Sequence, residues 1–380
     1  MDQEREAQAG KKHTFECGSC GASLTYSPGA ATLECEYCGH QQAIPGTAEG
    51  GGVEREVVEY DFGEGLAKAR RAKTSDLMQG GKEVQCNGCG AHTVMAEQAG
   101  NCPYCDTPMV AAVEDDAATQ ILPESVLPFK LDDRRARDEF HKWLTGLWFA
   151  PNDLKTRASA GRIDGVYMPY WTYDSQTTTS YRGERGEHYY ETQTYKDSEG
   201  KTQTRQVQKT RWYPASGTVR VPFDDVLVYA SKALPRNLVR SLEPWDLGDL
   251  KPYDPAYLSG FVAEKYSVDL EAGFKIAEDR MEPKIRSTIK SDIGGDEQRI
   301  NFMSIHHAHV TWKHFLLPLW ISSFRYSEKV YRFMVNARTG EVAGERPYSV
   351  IKIVLFVLFI LALIAGVVAL ASMGHASGAS

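Results

Sequence analysis

Apolar positions along this chain follow three different periods, and each period predicts a different kind of element. From Ile353 to Ala371 they are continuous: nineteen residues, IVLFVLFILALIAGVVALA, without a charge or a proline. At about 1.5 Å per residue such a run makes roughly 28 Å of helix, close to the hydrocarbon thickness of a bilayer. It predicts one transmembrane helix over 350–372 and a short tail over 373–380. A core helix of a soluble protein would carry a polar face, and this run has none. Between Asp132 and Leu147 the apolar residues Ala136, Phe140, Trp143, Leu144 and Leu147 recur every three or four positions. That spacing predicts an amphipathic helix capped at Asp132-Asp133. A longer helical stretch is predicted from Asp269 to about Lys290, and a short, solvated spacer helix around Gly63 to Lys73.

Elsewhere the pattern is that of strands. VLPFKL at 126–131 reads as one, and residues 166–230 read as antiparallel sheet opened by VYMPYWTYD. A long hairpin follows, with arms HYYETQTY and KTQTRQVQKTRWY joined across Asp197-Ser198-Glu199-Gly200, a turn with glycine at its last position. Both arms are polar on both faces, so the hairpin 188–213 is expected to project from the body instead of lining its core. A connector marked by Pro and Trp, Leu242 to Tyr257, precedes the long helix. A last sheet segment covers Arg299 to Gly344, with HFLLPLWISSFRY and the hairpin VYRFMVNARTGEVAG. VYMPYW (166–171) and FLLPLW (315–320) share Pro and Trp at the same spacing and suggest two related sheet units.

Cysteine changes the picture of the N-terminal third. All eight cysteines fall in four Cys-x-x-Cys pairs: Cys17/Cys20 with Cys35/Cys38, and Cys86/Cys89 with Cys102/Cys105. CGSCGA matches CNGCGA, and Tyr37 and Tyr104 each precede the last cysteine of their set, which marks an internal duplication. Two thiolate pairs separated by 14 or 12 residues suit a tetrahedral all-cysteine zinc ribbon, and a unit this small needs the metal to fold. The expectation is two structural Zn2+ ions, because four cysteines per site leave no open position for catalysis. The predicted fold class is α+β: two small zinc ribbons, a mostly antiparallel β-rich body with helices, and one C-terminal transmembrane helix. The predicted organisation is ribbon 1 over 13–47, a linker with the short helix over 48–82, ribbon 2 over 83–113, and an acidic linker over 114–125. The body then covers 126–347, ahead of the membrane segment.

Charge bears on partners and on orientation. The chain has a net charge of −7, but residues 1–125 hold 9 Lys/Arg against 20 Asp/Glu and the remainder 34 against 30. Each tetrathiolate zinc site adds about two negative charges, so this head should repel a nucleic-acid duplex. The hairpin does carry Lys196, Lys201, Arg205, Lys209 and Arg211, a set suited to anionic headgroups or an acidic partner. The N-terminus has no apolar run of the secretory kind, and Lys329, Arg332, Arg338, Arg346 and Lys352 precede the apolar helix. The positive-inside rule therefore places the large N-terminal part in the cytoplasm, on a single-pass protein of the cytoplasmic (inner) membrane. Paired thiolates agree with a reducing compartment.

Catalytic motifs are missing. There is no Gly-x-Ser-x-Gly elbow, no His-Glu-x-x-His pair and no dinucleotide fingerprint, and Gly80-Gly81-Lys82 lacks the earlier glycine and the Ser/Thr of a phosphate loop. His307 and His309 would share one strand face, but no carboxylate or cysteine stands at ligand spacing. The expected function is non-enzymatic. The ordered series CGSCGASLTYSPGAATLECEYCGH, EVQCNGCGA, CPYCDTPM, VLPFKL, WLTGLWFAPNDL, GVYMPYW, LVYASKAL, YLSGFVAEKY, LLPLWISSFRY and FMVNARTGEVAGERP resembles the bacterial TFIIB-type zinc-ribbon membrane proteins. Members of that family are often labelled relatives of primosomal protein N′, or replication factor Y, a label that the missing phosphate loop contradicts here. The resemblance implies all eight cysteines as zinc ligands and a membrane-bound role beside stomatin-like (SPFH) or phage-shock-type envelope proteins.

Overall fold

A computed structural model of the chain describes residues 15–30, 32–44, 59–69, 82–86, 91–95, 99–104, 107–110, 121–154, 163–196, 198, 200–326 and 329–376. In chain order its strands are β1 Leu24–Ser27, β2 Thr32–Cys35, β3 Gln41–Ala43, β4 Tyr60–Asp61, β5 Lys82–Gln85, β6 His92–Met95, β7 Ala99–Asn101 and β8 Pro108–Val110. They continue with β9 Ser125–Val126, β10 Asp164–Lys196, β11 Thr202–Tyr229, β12 Lys251–Pro252, β13 Val262–Ala263, β14 Glu297–Tyr326, β15 Lys329–Asn336 and β16 Val342–Gly344. The helices are α1 Phe62–Ala69, α2 Asp133–Thr145, α3 Arg236–Arg240, α4 Leu270–Ile293 and α5 Val350–Ala376. Helix and sheet are mixed, and the sheets are mostly antiparallel.

The long sheet runs in the order β11-β10-β14-β15-β16. Three of its strands, β10, β11 and β14, are far longer than the usual five or six residues: β10 has 33 and spans roughly 100 Å at about 3.3 Å per residue. VYMPYW and FLLPLW pair with each other across β10 and β14, with Tyr167 opposite Pro318 and Pro169 opposite Leu316. Each proline falls at a gap between neighbours. Pro169 lies between the stretches of β10 that pair with β13 and with β11, and Pro318 between those of β14 that pair with β9 and with β15. A residue without an N–H is tolerated in mid-sheet where the ladder changes partner. Around this crossing Tyr167, Tyr170, Trp171, Phe315 and Leu317 are fully buried.

Beyond Asp174 the sheet becomes an arm with only one covered face. Ser175, Thr177, Thr179 and Tyr181 are buried, whereas Gln176, Thr178, Ser180 and Arg182 between them are exposed. Helix α4 lies over the buried face with Ala277, Met281, Ile285, Ile289 and Ile293, a stripe at helical spacing. Asp269 caps it by accepting from the Ala272 N–H at 2.7 Å. The hairpin continues past the end of β14 at Glu297, closing at Lys196 opposite Thr202, with Gly200 at φ +79° in the turn. Past Glu297 the two arms pair with each other and no longer with β14.

Two local expectations change. Of VLPFKL only Val126 lies in a strand, β9 Ser125–Val126, after which Leu127 N–H donates to the Leu316 carbonyl at 2.9 Å. Helix α1 is not solvated: Phe62 and Leu66 pack on the α4 core, and Gly65 sits where a Cβ would lie 2.2 Å from the Trp312 indole nitrogen. Helix α2 fits its prediction, with Asp132 accepting from Arg135 N–H at 2.8 Å and Ala136, Phe140 and Leu144 buried.

The cysteine-bearing segments pack on the body. Tyr26 N–H donates to the Ser259 carbonyl at 3.0 Å, Gly29 N–H to the Phe129 carbonyl at 3.0 Å and Ser259 Oγ to the Leu24 carbonyl at 2.6 Å. Cys17, Leu33 and Cys35 share one core with Phe129, Tyr167 and Tyr257, while Cys86, Cys102 and Tyr104 share another with Tyr170 and Leu317. Helix α5 is long and apolar enough to cross a membrane: its window Val350–Val367 has a mean hydropathy of 3.0, and none of it is buried against protein.

Candidate metal centre and its surroundings

The first cysteine set is brought together by two matching turns. Cys17 N–H donates to the Ala22 carbonyl at 2.7 Å, and Cys35 N–H to the His40 carbonyl at 2.9 Å. Gly21 and Gly39 return to the Cys17 and Cys35 carbonyls at 2.9 Å each, with φ of +73° and +70°. Only glycine adopts that conformation without strain, which explains a glycine after each knuckle. The sulfurs of Cys17 and Cys38 are 3.5 Å apart, as are those of Cys20 and Cys35, and all four lie within 4.8 Å of one another. Zn–S bonds of about 2.3 Å in a tetrahedron put sulfurs about 3.8 Å apart, so the cluster is compatible with zinc.

The closeness of the thiols separates their ionisation. Burial opposes ionisation of Cys17, but the Ser19 and Cys20 N–H groups and the neighbouring thiols draw it down to about 6. The Cys35 thiol is lowered chiefly by the Cys38 N–H. Cys38 is favoured by the His40 N–H, yet the Cys20 and Cys17 sulfurs push it up to about 12. Sulfurs this close cannot all ionise unless a cation sits among them, and a tetrathiolate zinc site supplies one.

In the second set, Cys86 and Cys102 are buried, and Cys89 and Cys105 lie outside the described residues. The two described cysteines repeat the knuckle bond of the first set: Cys86 N–H to the Ala91 carbonyl at 2.8 Å and Cys102 N–H to the Thr107 carbonyl at 2.9 Å.

Sequence reasoning missed what holds this second unit in place. Glu264, on the connector after β13, is 3 % exposed. Its carboxyl accepts from Tyr104 Oη at 2.8 Å, from Tyr229 Oη at 3.0 Å and from Ser231 Oγ. Its backbone N–H donates to the Tyr167 carbonyl at 2.9 Å, and Lys265 N–H to the His92 carbonyl at 3.1 Å. Burial, followed by the Glu264 charge, holds the Tyr104 and Tyr229 hydroxyls well above the ordinary tyrosine range, so they remain donors. A lone Glu in YLSGFVAEKY carries no local sign of this role. The equivalent knuckle residue of the first set, Tyr37, is 84 % exposed, whereas Tyr104 is 0 % exposed.

Other candidate groups are placed as follows. His307 faces α4, with Ser175 Oγ at 3.0 Å from Nδ1 and Glu278 at 3.5 Å from Nε2. His309 does not share that face as the sequence predicts: a bulge intervenes, where His309 has φ +50°. Arg338, counted among the cations ahead of the apolar helix, is spent inside the body on the Pro128 carbonyl, Asp246 and Asp249. On the hairpin, Arg205 stacks over Tyr195 at 5.6 Å and Arg211 over Tyr189 at 5.0 Å, and Lys209 pairs with Glu191.

The chain is similar to an uncharacterised protein of Bacillus subtilis (strain 168), YdjG, with 27% identity over 342 residues that cover 90% of this chain and 92% of the relative. No protein-family model and no solved structure matches it.

Proposed function

We propose that this chain is a non-enzymatic, tail-anchored protein of the cytoplasmic membrane, a TFIIB-type zinc-ribbon membrane protein whose twin ribbons form a cytosolic docking site for another protein. One observation carries the docking reading. The same knuckle tyrosine is used twice, and in the second copy it is the plug that fastens the unit to the body through Glu264. In the first copy that plug faces solvent, an amphipathic ring 84 % exposed with none of the described residues closing over it. Partners of the stomatin-like (SPFH) or phage-shock type, acting in envelope stress or membrane-protein assembly, fit a membrane-bound adaptor of this kind.

The test uses full-length protein purified with its native membranes. The preparation is expected to hold two zinc ions per chain and to bring down one of those partners, and Tyr37→Ala is expected to lower that recovery at least tenfold with zinc content unchanged. A partner recovered equally with Tyr37→Ala sinks the assignment to this knuckle. A second reading, association with nucleic acid, has one observation in its favour: the Arg–Tyr stacks of the basic hairpin. A duplex or single-strand shift that weakens with salt and disappears without the hairpin would replace the docking proposal.

A further inference from the structure

The chain meets the base of its apolar helix at a place far away in sequence. After α2 ends, the loop 146–152 reads Gly-Leu-Trp-Phe-Ala-Pro-Asn. Its backbone is tied to α5 by Ser349 N–H donating to the Phe149 carbonyl at 2.7 Å and by Lys352 Nζ donating to the Ala150 carbonyl at 2.7 Å. Leu147 and Ala150 point inward and are buried, whereas Trp148 is 80 % exposed. Phe149 reaches along the helix and meets Phe356 edge-on, with ring centroids 5.3 Å apart.

Depth follows from helix geometry. Phe356 stands four residues beyond Lys352, about 6 Å along the axis. Phe149 therefore lies beside the first turn of the continuous apolar run, below the level of the lysine. If α5 is immersed in hydrocarbon from Ile353 onward, Phe149 is carried to the boundary between headgroups and acyl chains, and Trp148 beside it. Trp is enriched at that depth because its ring is apolar and its N–H remains solvated. Beside the loop, a cleft of about 540 Å³ lined by Leu144, Leu147, Trp148, Pro151 and Lys352 leaves room for headgroups.

We propose that the loop 146–152 is a second membrane contact, an aromatic wedge of Trp148 and Phe149 that enters the interface of the bilayer spanned by α5 and holds the body to it. This rests on the membrane reading given above. It adds that the body, besides the helix, touches lipid, and it names the residues.

The experiment exploits a feature of the sequence: none of the seven tryptophans lies in the apolar helix. Bromine on lipid acyl chains near the headgroup quenches indole emission only on close approach, so any quenching reports the body and not α5. Full-length protein is reconstituted in phosphatidylcholine–phosphatidylglycerol vesicles with and without brominated lipid, as the parent and as Trp148→Phe. Flotation with the vesicles is expected for both, with quenching in the parent that falls at least twofold in Trp148→Phe and unchanged thermal unfolding. Flotation with equal quenching, or with none, overturns the wedge and leaves the membrane-spanning reading standing. Failure of the parent to float overturns both.

Discussion

His314 shows at the scale of one residue how burial sets a pH response. It is 1 % exposed, with the Trp171 ring tilted against it at 4.4 Å and the Tyr266 ring edge-on at 5.4 Å. Burial pushes its imidazole down to about 4, against the backbone of Leu122 and Ile121, which favours the charged form. An unfolded chain takes up a proton at this position near pH 6.5 and the folded one near 4. Folding stability from this group is therefore complete above pH 6.5 and is lost as pH falls towards 4, by about 3 kcal/mol in all. His314→Leu is expected to flatten the melting-temperature profile over that interval relative to the parent. The comparison between the two chains matters because acid also protonates the clustered Cys17, Cys20, Cys35 and Cys38 in both. None of this was legible in the sequence, where four histidines within nine positions look alike. The convergence of Cys17, Cys20, Cys35 and Cys38 was legible, because two Cys-x-x-Cys turns at that spacing can bring four sulfurs together. Tyr37 and Tyr104 were not separable, because the surface that buries one of them comes from residues more than a hundred positions downstream.

Among the elements, α4 and the sheet beneath it approach each other closely at Gly273. Gly273 faces the Tyr173 hydroxyl and Trp171, where an added Cβ would stand 2.3 Å from Tyr173 Oη and 2.9 Å from Trp171 Cδ1. Both rings are fixed by bonds to the helix entry, Tyr173 Oη to the Leu270 carbonyl at 2.7 Å and Trp171 Nε1 to the Val268 carbonyl at 2.9 Å. Gly273→Ala is expected to destabilise by about 1–3 kcal/mol in chemical denaturation, with the exposed Glu271→Ala near neutral as control. The helix could be read from its cap and its apolar stripe, and its boundaries agree within a few residues. The antiparallel sheet and its hairpin were read over 166–230, but not that single strands of 33 and 28 residues run through both, because the polar stretches carry no apolar alternation to join them. Here they are the open face of one strand, and the bulge at Asp174 keeps it continuous while its surroundings change from core to arm.

At the level of the molecule, the arm separates two regimes of stability. Buried apolar residues extend along β10 to Tyr181 and along β11 back to Val219, and none is found among the described residues between them. Joining Tyr189 to Lys209 through a two-residue turn is thus expected to leave the thermal midpoint within about 2 °C of the parent, since exposed polar substitutions away from the core are near neutral. A large loss of stability would mean that the hairpin is packed on something. The base of the sheet and the tip of the hairpin also lie at opposite ends: Asp164 pairs with Ile321 beside β15, the side from which the chain enters α5, and the turn at Gly200 lies roughly 100 Å away along β10. If α5 spans a bilayer and the loop 146–152 enters it as proposed, a body held at its base and extended that far on the other side behaves as a lever. Anything that pulls on the tip exerts torque on the base, so the tilt of one protein at the bilayer would register tension arriving from deep in the surrounding solution.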